Sequence, residues 1–175
     1  MHIQHCTPIM SLTFRHKAFR EDVEHIRAIV ESSNYFNKME VDMSVELIEE
    51  YLADGPKSGY RFLFAESQQV PVAFTCYGPI EAAPGRFDLY WIAVLNEYRS
   101  LGVGREILAA TEERIRHEHG VLVYAETSGK EQYHSTREFY RRNGYEQEAV
   151  IRDFYADGDD KVIFSKILSS GQSGK

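Results

Sequence analysis

Cysteine is nearly absent. The chain of 175 residues carries two, Cys6 and Cys76, too few for a disulfide framework and too isolated for a zinc site. Both read as free thiols of a reducing compartment. No run of about 20 apolar residues occurs, so no membrane helix and no membrane partner are expected. Residues 1–20 hold no apolar stretch of signal-peptide length, and with the thiols this predicts a cytoplasmic protein. A basic excess is missing too. Lys and Arg number 20 against 27 Asp and Glu, a net charge of −7, which argues against a non-specific nucleic-acid binder. His2, His5 and Cys6 lie in an unpatterned terminus and read as incidental, so no metal is expected.

What is present is an ordinary globular composition, 43% hydrophobic and 27% charged, at a length that favours one domain. We place an extension at 1–10, a single domain at 11–168 and a flexible Ser/Gly-rich tail at 169–175. Ser11 to Arg15 alternates like a strand. Val23, Ile26, Ile29 and Val30 recur at helical spacing with Asp22 as a cap, and a second helix is predicted from Ser44 to Ala53. Between them runs the aromatic loop Asn34 to Met39, in which Tyr35 and Phe36 either plug the core or touch substrate. Arg61 to Ser67 and Val70 to Tyr77 form a hairpin around Gln68-Gln69. Val121 to Thr127 is a further strand, and Ser135 with Glu138 has capping-box spacing for a late helix that Gly144 ends. Glu148 to Tyr155 and Lys161 to Ile167 close the chain around the turn Ala156 to Asp160.

The centre is Asp88 to Val94, an apolar strand, followed by Leu95 to Gly104 and an amphipathic helix from Arg105 to His117. Glycines before a helix serve a tight turn or admit a phosphate to unpaired amides at the positive end of the helix dipole. Gly102 and Gly104 are not a dinucleotide fingerprint, because Ile107 stands where the third glycine is needed. No Gly-Lys-Ser/Thr follows for a phosphate loop. Arg99-x-x-Gly102-x-Gly104 after the strand does resemble the acetyl-coenzyme A signature of the GNAT superfamily of N-acetyltransferases. Thr136-Arg137-Glu138-Phe139-Tyr140-Arg141-Arg142-Asn143-Gly144-Tyr145 is similar to that superfamily's later helix.

The resemblance implies an α/β (α+β) GNAT fold over residues 11–168: a mixed, mostly antiparallel sheet of six or seven strands, splayed at its centre and flanked by four helices. It implies an enzyme that transfers the acetyl group of acetyl-CoA to a primary amine by direct attack. Ile92, Ala93 and Val94 would offer main-chain groups to the pantetheine arm. Arg99 and the amides from Leu101 through Gly102, Val103 and Gly104 to Arg105 would hold the pyrophosphate. Tyr133 stands where many members have an arm-contacting asparagine, and Thr136 where they have alanine; Phe139 and Tyr140 complete this cofactor set. Tyr140, four residues before Gly144, takes the family's thiolate-protonating position. Asp88 and Glu126 compete as general base, and for both a strand-end charge or a salt-bridge partner is the plainer reading. Asp153 and Tyr155, near the last hairpin, read first as a solvated charged turn and otherwise suit a cationic acceptor, alongside Tyr35 and Phe36. A non-catalytic acyl-CoA sensor and a nucleotide-binding domain remain as alternatives. The acceptor, whether small molecule or peptide, and the choice between monomer and homodimer stay open.

Overall fold

The computed structural model describes residues 11–168; the extension at 1–10, with His2, His5 and Cys6, and the tail at 169–175 lie outside them. In chain order the elements are β1 (Leu12–Arg15), α1 (Asp22–Ser32), α2 (Lys38–Asp54), β2 (Arg61–Ser67), β3 (Val70–Pro79), β4 (Arg86–Val94), α3 (Val103–His117), β5 (Leu122–Ser128), α4 (His134–Arg142), β6 (Glu146–Ala156) and β7 (Asp159–Ile167). The strands form one seven-stranded sheet in the order β1-β2-β3-β4-β5-β7-β6. Among the described residues only β4 and β5 pair in parallel, because α3 carries the chain back across the sheet between them. The β2–β3 turn is made by Gln68 and Gln69, both at positive φ (51° and 65°), the combination whose twist matches a two-residue hairpin.

Period-two alternation along β2 and β3 gives the sheet two apolar faces. Phe62, Phe64, Phe74 and Cys76 pack under α1 and α2 against Ile26, Ile29, Val30 and Ile48. On the other face Leu63, Ala73, Tyr77, Leu89 and Phe164 meet Val103, Ile107, Leu108 and Ile115 of α3 and Tyr140 of α4. Ile26, Ile48, Ile107 and Ile115 are fully enclosed, each worth about 1.5–3 kcal/mol relative to exposure. A buried hydroxyl pair, Thr75 and Thr111 at 2.8 Å, pins α3 to β3 without leaving either group unsatisfied.

Three local expectations are corrected. α2 begins at Lys38 rather than Ser44, because Asn37 and Glu40 form a reciprocal capping box; charged residues and the exposed Met39 and Met43 ahead of the apolar period concealed the first six residues of the helix. Asp22 does not cap α1. Glu21 holds that position without a side-chain bond, while Asp22 accepts from the Phe19 N–H at 2.7 Å and from both terminal nitrogens of Arg15 at 2.8 Å. Burial pushes this carboxyl up, but those bonds bring it below its ordinary value and tie β1 to α1. Ser135 does not cap α4 either: Tyr133 precedes the helix, with no side-chain cap, and a short 3-10 turn at Glu131–Tyr133 leads in.

The sheet is interrupted in two places that matter. β4 and β5 stay paired only from Arg86 opposite Leu122 to Leu89 opposite Ala125, after which they part, as the family resemblance implied. On its other edge β4 carries a bulge: Trp91 faces Cys76 and Leu89 faces Tyr77, leaving Tyr90 without a partner. A bulge bends its strand and increases the local twist. Gly78, opposite Asp88, lets the chain at Gly59 cross close by, since a Cβ there would lie 2.1 Å from the Gly59 carbonyl oxygen. Gly78→Ala is therefore expected to destabilise the fold by about 1–3 kcal/mol through overpacking against main chain. A urea titration followed by circular dichroism measures this, and an unchanged midpoint contradicts it.

Candidate functional site

The parting of β4 from β5 opens a cleft of about 720 Å³. Its floor is Ile92, Ala93 and Val94 of β4, whose edge toward β5 has lost its ladder partner while the other edge stays bonded to β3. Main-chain groups in that condition accept an added extended segment. Beyond Val94 the Leu95 N–H donates to the Val72 carbonyl at 2.8 Å and the Asn96 N–H to Ser32 Oγ at 3.0 Å, which fixes the exit of the strand against α1. Ser100 and Gly102 then take positive φ (64° and 87°), turning the chain sharply into α3.

Gly102 is the N-cap residue of α3 and offers no side chain. The first helical bond runs from the Glu106 N–H to the Gly102 carbonyl, so the amides of Val103, Gly104 and Arg105 have no partner within the helix. Gly104 is small for a different reason: a Cβ there would come 3.3 Å from Phe139 and 3.6 Å from Val94. Arg99, Arg105 and Arg142 also line the cleft. Bare amides, a helix dipole and three guanidinium groups suit an anion of more than one charge.

Of the residues assigned to a cofactor, Ile92, Ala93, Val94, Arg99, Gly102, Gly104, Arg105, Tyr133, Thr136 and Phe139 line this cleft, and so do Tyr35 and Phe36. The Arg99 guanidinium lies over the Tyr35 ring at 4.9 Å. Leu101 is exposed and Val103 is buried in the core, and neither side chain lines the cleft. Tyr140 does not line the cleft. It is 4% exposed, one turn beyond Thr136, and packs on Phe139, Tyr145 and Phe164; burial raises its phenol well above the ordinary value, so it stays protonated. Ser135 and Asn143 also line the cleft. Helical spacing could have found them, because 135/136, 139 and 142/143 share one face of α4.

A second cluster lies on the sheet face shared by Asp88 and Glu126. Asp88 stands opposite Tyr124, with Glu126 two residues further along β5. Burial and then the Glu126 charge raise the Asp88 carboxyl, opposed by Lys161. Glu126 is not free: Lys161 Nζ sits 2.6 Å from it and 3.7 Å from the centre of the Phe154 ring, with Tyr155 beside Phe154. Thus Asp88, Glu126 and Tyr155 are neighbours through Lys161. Asp153 is not part of that group's pairing. At φ 52° it accepts from the Gly158 N–H at 2.7 Å and donates its own N–H to Asp160 at 3.0 Å, which builds the hairpin turn.

The family model of the acetyltransferase (GNAT) domain matches residues 58–147. A crystal structure of a GNAT-family protein from Desulfovibrio desulfuricans is 40% identical, over 90% of this chain and 99% of that one, with a TM-score of 0.87. The N-alpha-acetyltransferase of Sulfurisphaera tokodaii is 31% identical over 78 residues, 44% of this chain; the match spans 46% of that relative's length. The PaiA N-acetyltransferase of Thermoplasma acidophilum, solved in complex with coenzyme A, shares the fold at 17% identity and a TM-score of 0.68, over 91% of this chain and 100% of its own. Among the described residues no helix is long and apolar enough to cross a membrane. The family pattern runs through the very strands that part, and a near-full-length relative carries the same architecture: this chain belongs to the GNAT family of acetyltransferases.

Proposed function

We propose that the protein is an N-acetyltransferase that moves the acetyl group of acetyl-CoA to a primary amine by direct attack within a ternary complex. The observation that carries this reading is the uncapped start of α3, with Gly102 and Gly104 opening its amides, in a cleft that Arg99, Arg105 and Arg142 also line and that is floored by an unpaired β4 edge. The residues fit coenzyme A: amides and arginines for the phosphates, a free strand edge for the amide-bearing arm. The coenzyme A complex of the PaiA relative supports the fit. When bound, acetyl-CoA supplies an acyl group activated as a thioester.

This chain's residues have three tasks. A main-chain amide near Ile92 or Ala93 donates to the carbonyl oxygen as negative charge develops there. Asp88 takes the proton of the attacking amine, directly or through water. Its raised proton affinity brings it nearer the range where a carboxylate is an effective base. Glu126 is the weaker candidate, because Lys161 already neutralises it. Tyr140, kept protonated by burial, donates to the departing sulfur. The relative's name, N-alpha-acetyltransferase, makes α-amino groups the first acceptors to try. One observation favours the second reading, an acyl-CoA sensor without catalysis: Tyr140 packs behind the lining of the cleft rather than within it.

Calorimetry with acetyl-CoA and a thiol-release screen over amines separate the two; binding with no turnover on any amine favours the sensor. Tyr140→Phe should lower turnover about 10- to 1000-fold while calorimetric affinity for coenzyme A stays within error. An undiminished rate removes Tyr140 as the acid. For Asp88 the sign follows from its raised pKa. The base works ionised, so kcat/KM should fall as pH drops through a value above the ordinary 3.8 of aspartate. Asp88→Asn should abolish that acidic limb and cost about 10²- to 10⁴-fold in rate. A carboxyl raised in the folded state is a cost to stability once ionised, so the same variant should not lower the urea midpoint at neutral pH.

A further inference from the structure

Glu40 does two things at once. Its Oε2 accepts from the Asn37 N–H at 2.8 Å, closing the capping box of α2, and its Oε1 accepts from the Tyr133 hydroxyl at 2.9 Å. Tyr133 directly precedes α4, so this bond joins the start of α2 to the start of α4 across the cleft. A weaker tie runs beside it, from Gln132 Nε2 to the Tyr35 carbonyl at 3.5 Å. Burial and the Glu40 bond push the Tyr133 phenol up to about 12, so its proton stays in place to make the link.

Behind that link the Phe36 ring is held on two sides. Its centre is 5.1 Å from Trp91 and 6.4 Å from Tyr133, tilted 54° to each. Phe36 also packs against the core under α1 and α2. Trp91 immediately precedes Ile92, the first residue of the cleft's floor. A rigid aromatic corner therefore closes the space next to the main chain proposed to receive the arm and the reacting carbonyl.

We infer that Phe36 and Tyr133, with Trp91 packed behind Phe36, form the end wall met by the acyl group of the donor, and that Glu40 is a positioning residue locking this wall through Tyr133, so that acetyl is accepted and longer acyl chains are rejected. The inference rests on the reading of the β4 edge as the arm's partner. A longer chain must displace a ring held between Trp91 and Tyr133. One methylene in an apolar pocket discriminates about 10- to 200-fold.

The test compares acetyl-, propionyl- and butyryl-CoA, by kcat/KM and by calorimetric affinity, in wild type, Phe36→Ala, Glu40→Ala, Glu40→Gln and Asn37→Ala. Wild type should prefer acetyl over butyryl by about 100-fold or more. Phe36→Ala should narrow that ratio at least about ten-fold, and Phe36→Leu, a milder change, should narrow it in the same direction if the alanine variant does not fold. Glu40→Ala should also narrow it. Glu40→Gln, whose one oxygen can still accept from Tyr133 while its NH2 faces the Asn37 N–H, should hold the ratio closer to wild type than Glu40→Ala does. Asn37→Ala should leave the ratio alone, because it removes the other half of the cap and keeps the N–H that Glu40 accepts from. Equal use of butyryl-CoA by wild type, or an unchanged ratio in both Phe36 variants, overturns the wall. A ratio unchanged in Glu40→Ala overturns the positioning role. The outcomes also separate the two readings: preference for acetyl in calorimetry without turnover supports the wall and defeats acetyl transfer, whereas turnover without preference does the reverse.

Discussion

Everything at the candidate site depends on two parallel strands ceasing to pair. β4 and β5 share a ladder only as far as Leu89 and Ala125, and each main-chain group beyond needs another partner or water. On the β3 side β4 keeps its bonds through Val94, so the strand remains a fixed floor while one edge lies open. The bulge at Tyr90 accompanies this departure by increasing the local twist. The open edge then leads into α3, whose first amides are likewise unspent. Two kinds of unpartnered backbone thus lie in sequence along one cleft, one suited to an extended amide chain and the other to an anion.

Charge is arranged to match. The chain as a whole is acidic, at −7, yet Arg99, Arg105 and Arg142 line the cleft. Other basic residues nearby are engaged structurally: Arg137 donates to the Ser128 and Lys130 carbonyls, and Arg141 to Glu138 and Gln147. The opposite end of the site is handled by pairing. Lys161 neutralises Glu126 under the Phe154 ring, which leaves Asp88 as the less compensated carboxyl on that face. The acidic hairpin that looks from composition like a cation surface spends Asp153, Asp159 and Asp160 on its own turn and on Ser128 and Lys130.

Glu40 shows how one side chain can link secondary structure to a site. Its cap fixes where α2 begins, and its second oxygen reaches a tyrosine 93 residues away. That bond holds Tyr133 at the start of α4.

Order and type of the elements were legible in the sequence because local physics sets them: period-two alternation in β2 and β3, helical apolar spacing in α1 and α3, and turn residues at 68–69 and 157–158. The spacing Arg99-x-x-Gly102-x-Gly104 was legible for the same reason, since a left-handed turn and a close helix approach each demand glycine. The beginnings of α2 and α4 were less so, because caps and 3-10 turns hide in polar stretches. Contacts between distant segments could not be read at all. That Tyr140 packs behind the cleft, that Lys161 occupies Glu126 and that Glu40 reaches Tyr133 were decided by tertiary structure, because each depends on which strands and helices are brought side by side and no local pattern records its partner.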